Sequence, residues 1–468
     1  MIVIFVHGWS VRHTETYGDL PRWLEAQGRA NNAPIQVGNV YLGKYISFSD
    51  AVTVDDIARA FDQAIRDEIG AKLAQGERFA CITHSTGGPV VRKWIDLYHR
   101  NRLGQCPLSH LIMLAPANHG SALAQLGKSR LSRIKFLLEG AEPGQRVLDW
   151  LELGSDQQWD LNTTWLGYRC VDSGLFPFVL TGQRIDRKMY DSLNPYTGEA
   201  GSDGVVRAAA ANMNYQLIRL RQAGDEVGPE DLAPSEPSAF GILPGFSHSG
   251  KKMGIIRSVT MDNAATHQTA QWVLRCLNVA TAGEYRAVAD ELARVTSQTQ
   301  QSEREEQVRT LLGKRTFETS RFSMVVFRIV DDRGTQVADY DLYLTAGPKY
   351  DPNALPPGFF KDRQRNLRNP GKLTYFLDYD VMEAGFANPK MEGRLGFRLV
   401  ARPSTGLAYY RTLDFRGDVQ SMKHVLAPNR TTMVELVLER KVDARVFRIS
   451  NDLAPSPIGD KPMGAPVA

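Results

Sequence analysis

The run Arg78-Phe-Ala-Cys-Ile-Thr83 passes without a spacer through His84-Ser85-Thr86-Gly87-Gly88 into the stretch Pro89 to His99. No other feature restricts the fold as strongly. A short apolar run bounded in this way is a strand buried on both faces. Val90, Val91, Trp94, Ile95 and Tyr98 then recur at helical spacing, so the residues between must form a sharp turn. Ile2 to Val6 reads as another buried strand, and His110-Leu-Ile-Met-Leu-Ala115 as a third that ends at Pro116. From Val54 to Leu73, residues Ile57, Phe61, Ile65, Ile69 and Leu73 form one helical stripe. Strands alternating with helices predict an α/β fold whose mostly parallel sheet is built from right-handed βαβ units.

The turn itself has the pattern of a nucleophile elbow. Thr83-His84-Ser85-Thr86-Gly87-Gly88 aligns with G-x-S-x-G, Thr83 standing where the first glycine is usual. An elbow holds its serine on a strained strand-to-helix turn and needs small neighbours for the backbone to bend. Gly87 and Gly88 supply that room, while the β-branched Thr83 makes the turn more crowded than usual. Attack by Ser85 on an acyl carbon creates an oxyanion, which calls for two preorganised N–H donors. The amide of Thr86 is the first, and that of Trp9, in the loop His7-Gly8-Trp9 leaving the opening strand, is the second.

These segments, with Leu114-Ala-Pro-Ala-Asn-His-Gly-Ser121, resemble the α/β-hydrolase lipase superfamily, including lecithin:cholesterol acyltransferase-like proteins. The likeness covers roughly residues 1 to 280. It implies an α/β-hydrolase fold with a helical cap insertion and a Ser, acid, His order along the chain. A serine hydroxyl needs an imidazole base, and the base needs a carboxylate to fix its tautomer. Asp203, in Gly201-Ser-Asp-Gly-Val-Val206, is the expected acid, because Asp-Gly-Val-Val resembles the acid loop of many lipases; Asp172, Asp186 and Asp191 compete. Phe178 to Gly182 and Phe240 to Leu243 read as two further strands. The second leads into Pro244-Gly-Phe-Ser-His-Ser-Gly250, which places His248 in a glycine-rich loop as the expected base. His267 is the main rival base but sits near the start of a helix read over Ala264 to Leu277, and His84, beside the nucleophile on a sharp turn, is expected to brace the elbow or line the pocket.

Between Ser121 and Phe176 lies an insertion with Ile134-Lys-Phe-Leu-Leu138, Val147-Leu-Asp-Trp-Leu151, Trp159 and Trp165, rimmed by Lys128, Arg130, Arg133 and Lys135. It suits a cap over an apolar acyl pocket, its tryptophans either buried against the core or facing a lipid surface. The hydrolase unit is expected over 1–282, its cap over about 121–176, and a linking helix over 283–316. Apolar positions at spacing two from Phe322 onward predict an antiparallel β-sandwich over about 317–445, followed by a disordered Pro/Gly-rich tail, 446–468. Within the sandwich, Leu355 to Arg368 sets Phe359 and Phe360 beside Lys361, Arg363, Arg365 and Arg368, either a loop tucked into the sandwich or a tip for an anionic membrane.

The chain has 468 residues, with 56 Lys and Arg against 52 Asp and Glu, a net charge of +4 that is too small to argue for nucleic-acid binding. Cys81, Cys106, Cys170 and Cys276 have no C-x-x-C spacing and are expected as buried thiols. No H-E-x-x-H or Asp-rich calcium loop is present, so no cofactor or catalytic metal is expected, although the resemblance leaves room for a structural calcium. The opening segment lacks a signal peptide's basic region, so a cytoplasmic location is expected unless a non-classical route exports the chain. A hydrolase with an appended β-domain also resembles bacterial type VI secretion lipase effectors, which implies export by that apparatus and an immunity-protein partner. The leading expectation is a serine lipid esterase, lipase or phospholipase, acting through an acyl-enzyme. A soluble-ester or amide hydrolase, or a catalytically silent hydrolase fold that binds a membrane or partner, is the alternative.

Overall fold

The computed structural model describes residues 1–7, 14–42, 51–127, 144–185, 201–310, 313–318, 320–387 and 391–443. Its first sheet follows from the alternation of buried strands. β1 (Ile2–His7), β2 (Gln36–Tyr41), β3 (Phe79–His84), β4 (Leu108–Leu114), β5 (Phe176–Thr181) and β8 (Ala239–Ile242) form a six-stranded sheet in the order β2-β1-β3-β4-β5-β8. Every pairing in it is parallel. Successive β1 side chains serve opposite faces. Ile2, Ile4 and Val6 meet α2 (Val54–Leu73) and α3 (Gly87–His99), whereas Val3 and Phe5 meet α1 (Leu20–Ala30) and the helices Gln268–Leu277 and Ala282–Ser302. Such strands must be apolar throughout, which is why they were legible. Two elements escaped the pattern: α1, and the half-exposed strand β2 at the sheet edge. The sheet, its order and its helical layers make this an α/β-hydrolase fold.

Helix Ala282–Ser302 begins with a Thr281/Glu284 capping box and lies along β8. The Ile242 N–H donates to Thr296 Oγ1, and the Ala239 N–H to Tyr285 Oη. The helix therefore covers the outer edge of the parallel sheet, where unpaired backbone would otherwise be open. It does not extend to 316 as expected. At Ser302 it gives way to an antiparallel hairpin, β9 (Glu305–Thr310) with β10 (Gly313–Glu318). The helix-favouring Glu and Gln of this segment are a weak prior that strand pairing overrides.

The C-terminal region departs from a self-contained antiparallel sandwich in two ways. Its larger sheet has the order β13-β14-β11-β18-β6-β7, built from β11 (Phe322–Asp331), β13 (Phe360–Arg365), β14 (Lys372–Asp378) and β18 (Thr431–Leu438). β6 (Gln216–Ala223) and β7 (Glu226–Pro234) join it from within the expected hydrolase unit. The sheet is mixed, since β11–β18 and β18–β6 are parallel pairs. Against its outer side packs an antiparallel sheet of β12 (Tyr340–Ala346), β15 (Arg394–Ala401) and β17 (Leu413–Asp418). β11 explains the arrangement: Phe322, Met324 and Val326 join the hydrolase core, while Val325, Phe327 and Ile329 join the sandwich core. The sheet is a middle layer, and its apolar cover comes partly from the hydrolase.

The segment from Leu355 to Arg368 is not a projecting tip. Phe359 is buried, Phe360 opens the strand β13 on an exposed site, and the cations hold the protein itself. Lys361 pairs with Asp378 at 3.4 Å, Arg368 with Asp149 at 2.6 Å, and Arg365 donates to the Pro370 carbonyl. All four cysteines are buried free thiols. The tail 446–468 lies outside the described residues.

Candidate active site

β3 delivers Ser85 to the carboxyl edge of the parallel sheet, where α/β folds place ligands. Ser85 has φ +53°, in the left-handed region that a non-glycine residue enters at a cost of order 1–3 kcal/mol. That strain is the signature of an elbow. The Ser85 N–H donates to the Leu114 carbonyl at 3.0 Å, so β4 holds the bend. A Cβ on Gly88 would lie 2.9 Å from Pro116 Cβ, and one on Gly87 would lie 3.2 Å from Thr83 Cβ. Gly88 is thus required by the close approach of α3 to Pro116, and Gly87 sits tight against Thr83, which crowds the turn as its branching implied.

The structure brings Ser85, His248 and Asp203 together. His248 Nε2 lies 3.0 Å from Ser85 Oγ, and its Nδ1 lies 2.9 Å from Asp203 Oδ2. With Nδ1–H donating to the carboxylate, Nε2 is left as the acceptor for the serine proton; the partners assign this tautomer. Asp203 and His248 are 0% and 1% exposed, and Ser85 9%, so the relay is shielded while the hydroxyl stays reachable. Asp203 Oδ1 accepts from the Val205 and Val206 amides at 3.0 and 2.8 Å, and the Asp203 carbonyl accepts from the His248 N–H at 2.9 Å. The carboxylate is thereby oriented from both sides.

His84 is a brace. Its Nε2–H donates to the His248 carbonyl at 3.0 Å, and the two rings stand 4.6 Å apart. Burial, with the His248 ring next in weight, holds its pKa well below the ordinary imidazole value, which keeps it neutral. Of the rival acids, Asp172 is exposed and elsewhere, and Asp186 and Asp191 lie outside the described residues. His267 directly precedes the helix Gln268–Leu277 and bonds Ser258 Oγ at 2.9 Å, away from Ser85.

The Thr86 amide sits at the start of α3, beside the serine, and donates to no described residue. Trp9 lies outside the described residues. β1 nevertheless ends next to the elbow, with Val6 in register with Thr83. Tyr17, which no motif singled out, ties these ends together by donating to the Val6 carbonyl at 2.6 Å.

An apolar pocket opens at Ser85, lined by Leu123, Ala124, Leu148, Leu151, Val205 and Val206. Leu148 and Leu151 come from the cap helix Gln145–Leu151, which is followed by the helix Asp156–Trp165. Trp150, Trp159 and Trp165 are buried, so these three are cap core and not a lipid-facing surface. Trp159 lies near the cations of Lys372 and Arg328, each 5.8 Å from its ring, and Trp165 under Arg92 at 4.7 Å. The cap residues Lys128, Arg130, Arg133, Lys135 and 134–138 fall outside the described residues.

Motif reasoning missed Arg207 and Asp362. They form an ion pair between the buried Arg207 of the acid loop and the half-buried Asp362 of β13. A lone Arg after Val206 carries no pattern, and its partner is 155 residues away.

A comparison with protein-family models gives no match, and one with curated proteins gives none either. Solved structures do match. The phospholipase PlaB from Legionella pneumophila is 63% identical, with a TM-score of 0.92, over 99% of this chain and 98% of that one. The same phospholipase in complex with thio-NAD matches at 59% identity and a TM-score of 0.90 over 100% of both chains. Identity at this level over both full lengths, with the middle β layer included, places the chain in the family of the phospholipase PlaB.

Proposed function

We propose that this chain is a serine lipid esterase acting on phospholipids. The observation that carries the reading is the Ser85–His248–Asp203 line, with separations of 3.0 and 2.9 Å, opening on a pocket walled by aliphatic side chains. In the proposed mechanism the acyl chain enters that pocket and sets the ester carbonyl at Ser85. His248 Nε2 takes the hydroxyl proton as Oγ attacks, and Asp203 stabilises the resulting imidazolium. The tetrahedral oxyanion is held by the amides of Thr86 and Trp9. His248 then protonates the leaving alkoxide, which departs as the lysolipid and leaves an acyl-enzyme on Ser85. Water, deprotonated by the same imidazole, releases the fatty acid and regenerates the serine. The phospholipid assignment is supported by the name of the 63%-identical relative and by the apolar pocket.

The test is fatty-acid release from phospholipid vesicles by the purified chain beside its Ser85→Ala variant, with triacylglycerol emulsions and soluble short-chain esters in parallel. Release from phospholipid by the parent alone is expected. Cleavage of soluble esters without release from any lipid would move the substrate class, and inactivity on all three would remove the enzymatic reading.

The relative's complex with thio-NAD carries a second reading, that this chain also binds a nicotinamide dinucleotide. Calorimetric titration of the chain with NAD is expected to give saturable binding; no heat and no change in melting temperature at millimolar NAD would sink it.

A further inference from the structure

The loop that carries Asp203 is gripped at both ends by the middle β layer. At its start, Gly201 has φ +76°, and a Cβ there would lie 2.2 Å from the Phe322 ring. Phe322 stacks on Phe376 with ring centroids 4.7 Å apart and planes 19° from parallel. At the other end, the Arg207 guanidinium sits 4.1 Å from the Phe376 ring centroid and pairs with Asp362 on β13. The two side chains are 2% and 12% exposed. A Ser202–Arg207 bridge and the Ala208 N–H to Gly201 carbonyl bond close the loop on itself. Just beyond it, Thr431 Oγ1 donates to the Ala209 carbonyl and Asn212 Nδ2 to the Asn429 carbonyl. On the opposite side the hydrolase layer contributes Ser121 Oγ, donating to the Val205 carbonyl at 2.6 Å, and the His119 N–H, donating to the Ala210 carbonyl.

We propose that the Arg207–Asp362 pair, seated on the Phe322–Phe376 stack, is a positioning device that sets the Asp203 carboxylate against His248, so that β11, β13 and β14 take part in turnover without touching substrate. The inference rests on the catalytic reading of Ser85, His248 and Asp203. A loop from Gly201 to Arg207 cannot bury enough of its own surface to hold one conformation, so its walls decide where the carboxylate stands. Effective catalysis tolerates little displacement, about 1 Å being enough to lower a rate roughly 100-fold. An ion pair fits this task because it is directional: Arg207 is aimed both by the ring beneath it and by the carboxylate ahead of it. Removing the carboxylate cuts the ionic tie between the buried guanidinium and β13, which frees that end of the loop to shift against the strand.

The experiment uses the full chain and three variants: Asp362→Asn, Asp362→Glu, and Asp414→Asn as a control. The control breaks the Arg398–Asp414 pair in the outer sheet, away from the loop. Three quantities are measured on each: the melting temperature, kcat and KM on a short-chain p-nitrophenyl ester, and the rate at which a fluorophosphonate labels Ser85. All assays run well below the melting onset. For Asp362→Asn, kcat and the labelling rate are expected to fall about 10- to 100-fold with KM within twofold of the parent. Asp362→Glu, which keeps the charge but adds a methylene, should recover part of both, and Asp414→Asn should match the parent. A contact that merely stabilised the fold would lower the melting temperature and leave kcat per labelled site unchanged. Parent-like kcat and labelling in a folded Asp362 variant would overturn the proposal, and if Asp362→Asn does not fold, Asp362→Glu decides it. A parent that fluorophosphonate fails to label would overturn the Ser85 reading along with it, a result distinct from a labelled parent with equally labelled variants.

Discussion

The nucleophile and its acid are supported in different ways. Ser85 stands on a turn whose supports, β3, α3 and β4, are near it in sequence and belong to one sheet. Asp203 stands in a loop whose outer walls are Phe322, Phe376 and Asp362, contributed by a different sheet from much later in the chain. The contrast is instructive because both groups act on one imidazole. A buried strand running into a helix makes a rigid bend by itself, since the sheet on one side and the helix on the other already fix the backbone that enters and leaves it. An irregular loop has no such supply of partners and must be cast against its surroundings.

The sharpest way to separate the two supports is to remove each functional group and then each wall. Ser85→Ala is expected to lower kcat on phospholipid by about 10⁴-fold or more while leaving the melting curve in place. Asp203→Asn should cost about 10³- to 10⁴-fold, through loss of the correct imidazole tautomer, and steady-state kinetics on a soluble ester would read it. Phe322→Ala attacks the shared wall. It should destabilise the chain by about 3–5 kcal/mol, and because Phe322 belongs to the hydrolase core, urea melts followed by near- and far-UV dichroism should shift together. Two transitions with only one shifted would show that the layers unfold independently and would break the comparison.

A smaller effect is expected from acid. Burial, and next the charge of Arg92, push the His119 pKa down to about 3 from 6.5, and His84 moves in the same direction. Between those values the unfolded chain binds the proton that the folded one refuses. Stability is therefore full above about pH 6.5 and falls as the pH drops toward 3, with His119 accounting for up to about 2 kcal/mol at pH 5. Urea midpoints at pH 7.5 and pH 5 would measure the loss, and His119→Gln should remove the His119 share of it while leaving that of His84. The mildest change is Leu148→Trp, which narrows the pocket and should reduce turnover of long-chain relative to short-chain esters about tenfold. Equal loss on both chain lengths would mean that the acyl chain lies elsewhere.

Much of the parallel layer was legible, and for one reason. Strands covered on both faces must be apolar at every position, as in Ile2–Val6 and Phe79–Thr83, and the helices beside them repeat their apolar residues at helical spacing. Ser85, Asp203 and His248 were nameable because each sits in a short segment rich in glycine or small residues and resembles a known loop. The middle layer was not legible in the same way. β6 lies between a catalytic loop and an exposed edge strand, and nothing in Gln216–Ala223 says that it will pair with Thr431–Leu438. β11 reads as half a sandwich from its apolar positions at spacing two, yet it is buried on both faces, one against the hydrolase and one against the outer sheet.

Sequence alone thus determined most of the buried strands and helices of the parallel layer and which residues were candidates for chemistry at its edge. Those depend on periodicity and turn residues, which act over a few positions. Only tertiary structure decided that the C-terminal strands close over the hydrolase, that the tryptophans of the described cap are buried, and that Arg207 meets Asp362. Such contacts join distant segments whose pairing is chosen by complementary surfaces, and no local pattern encodes the partner of a single buried charge.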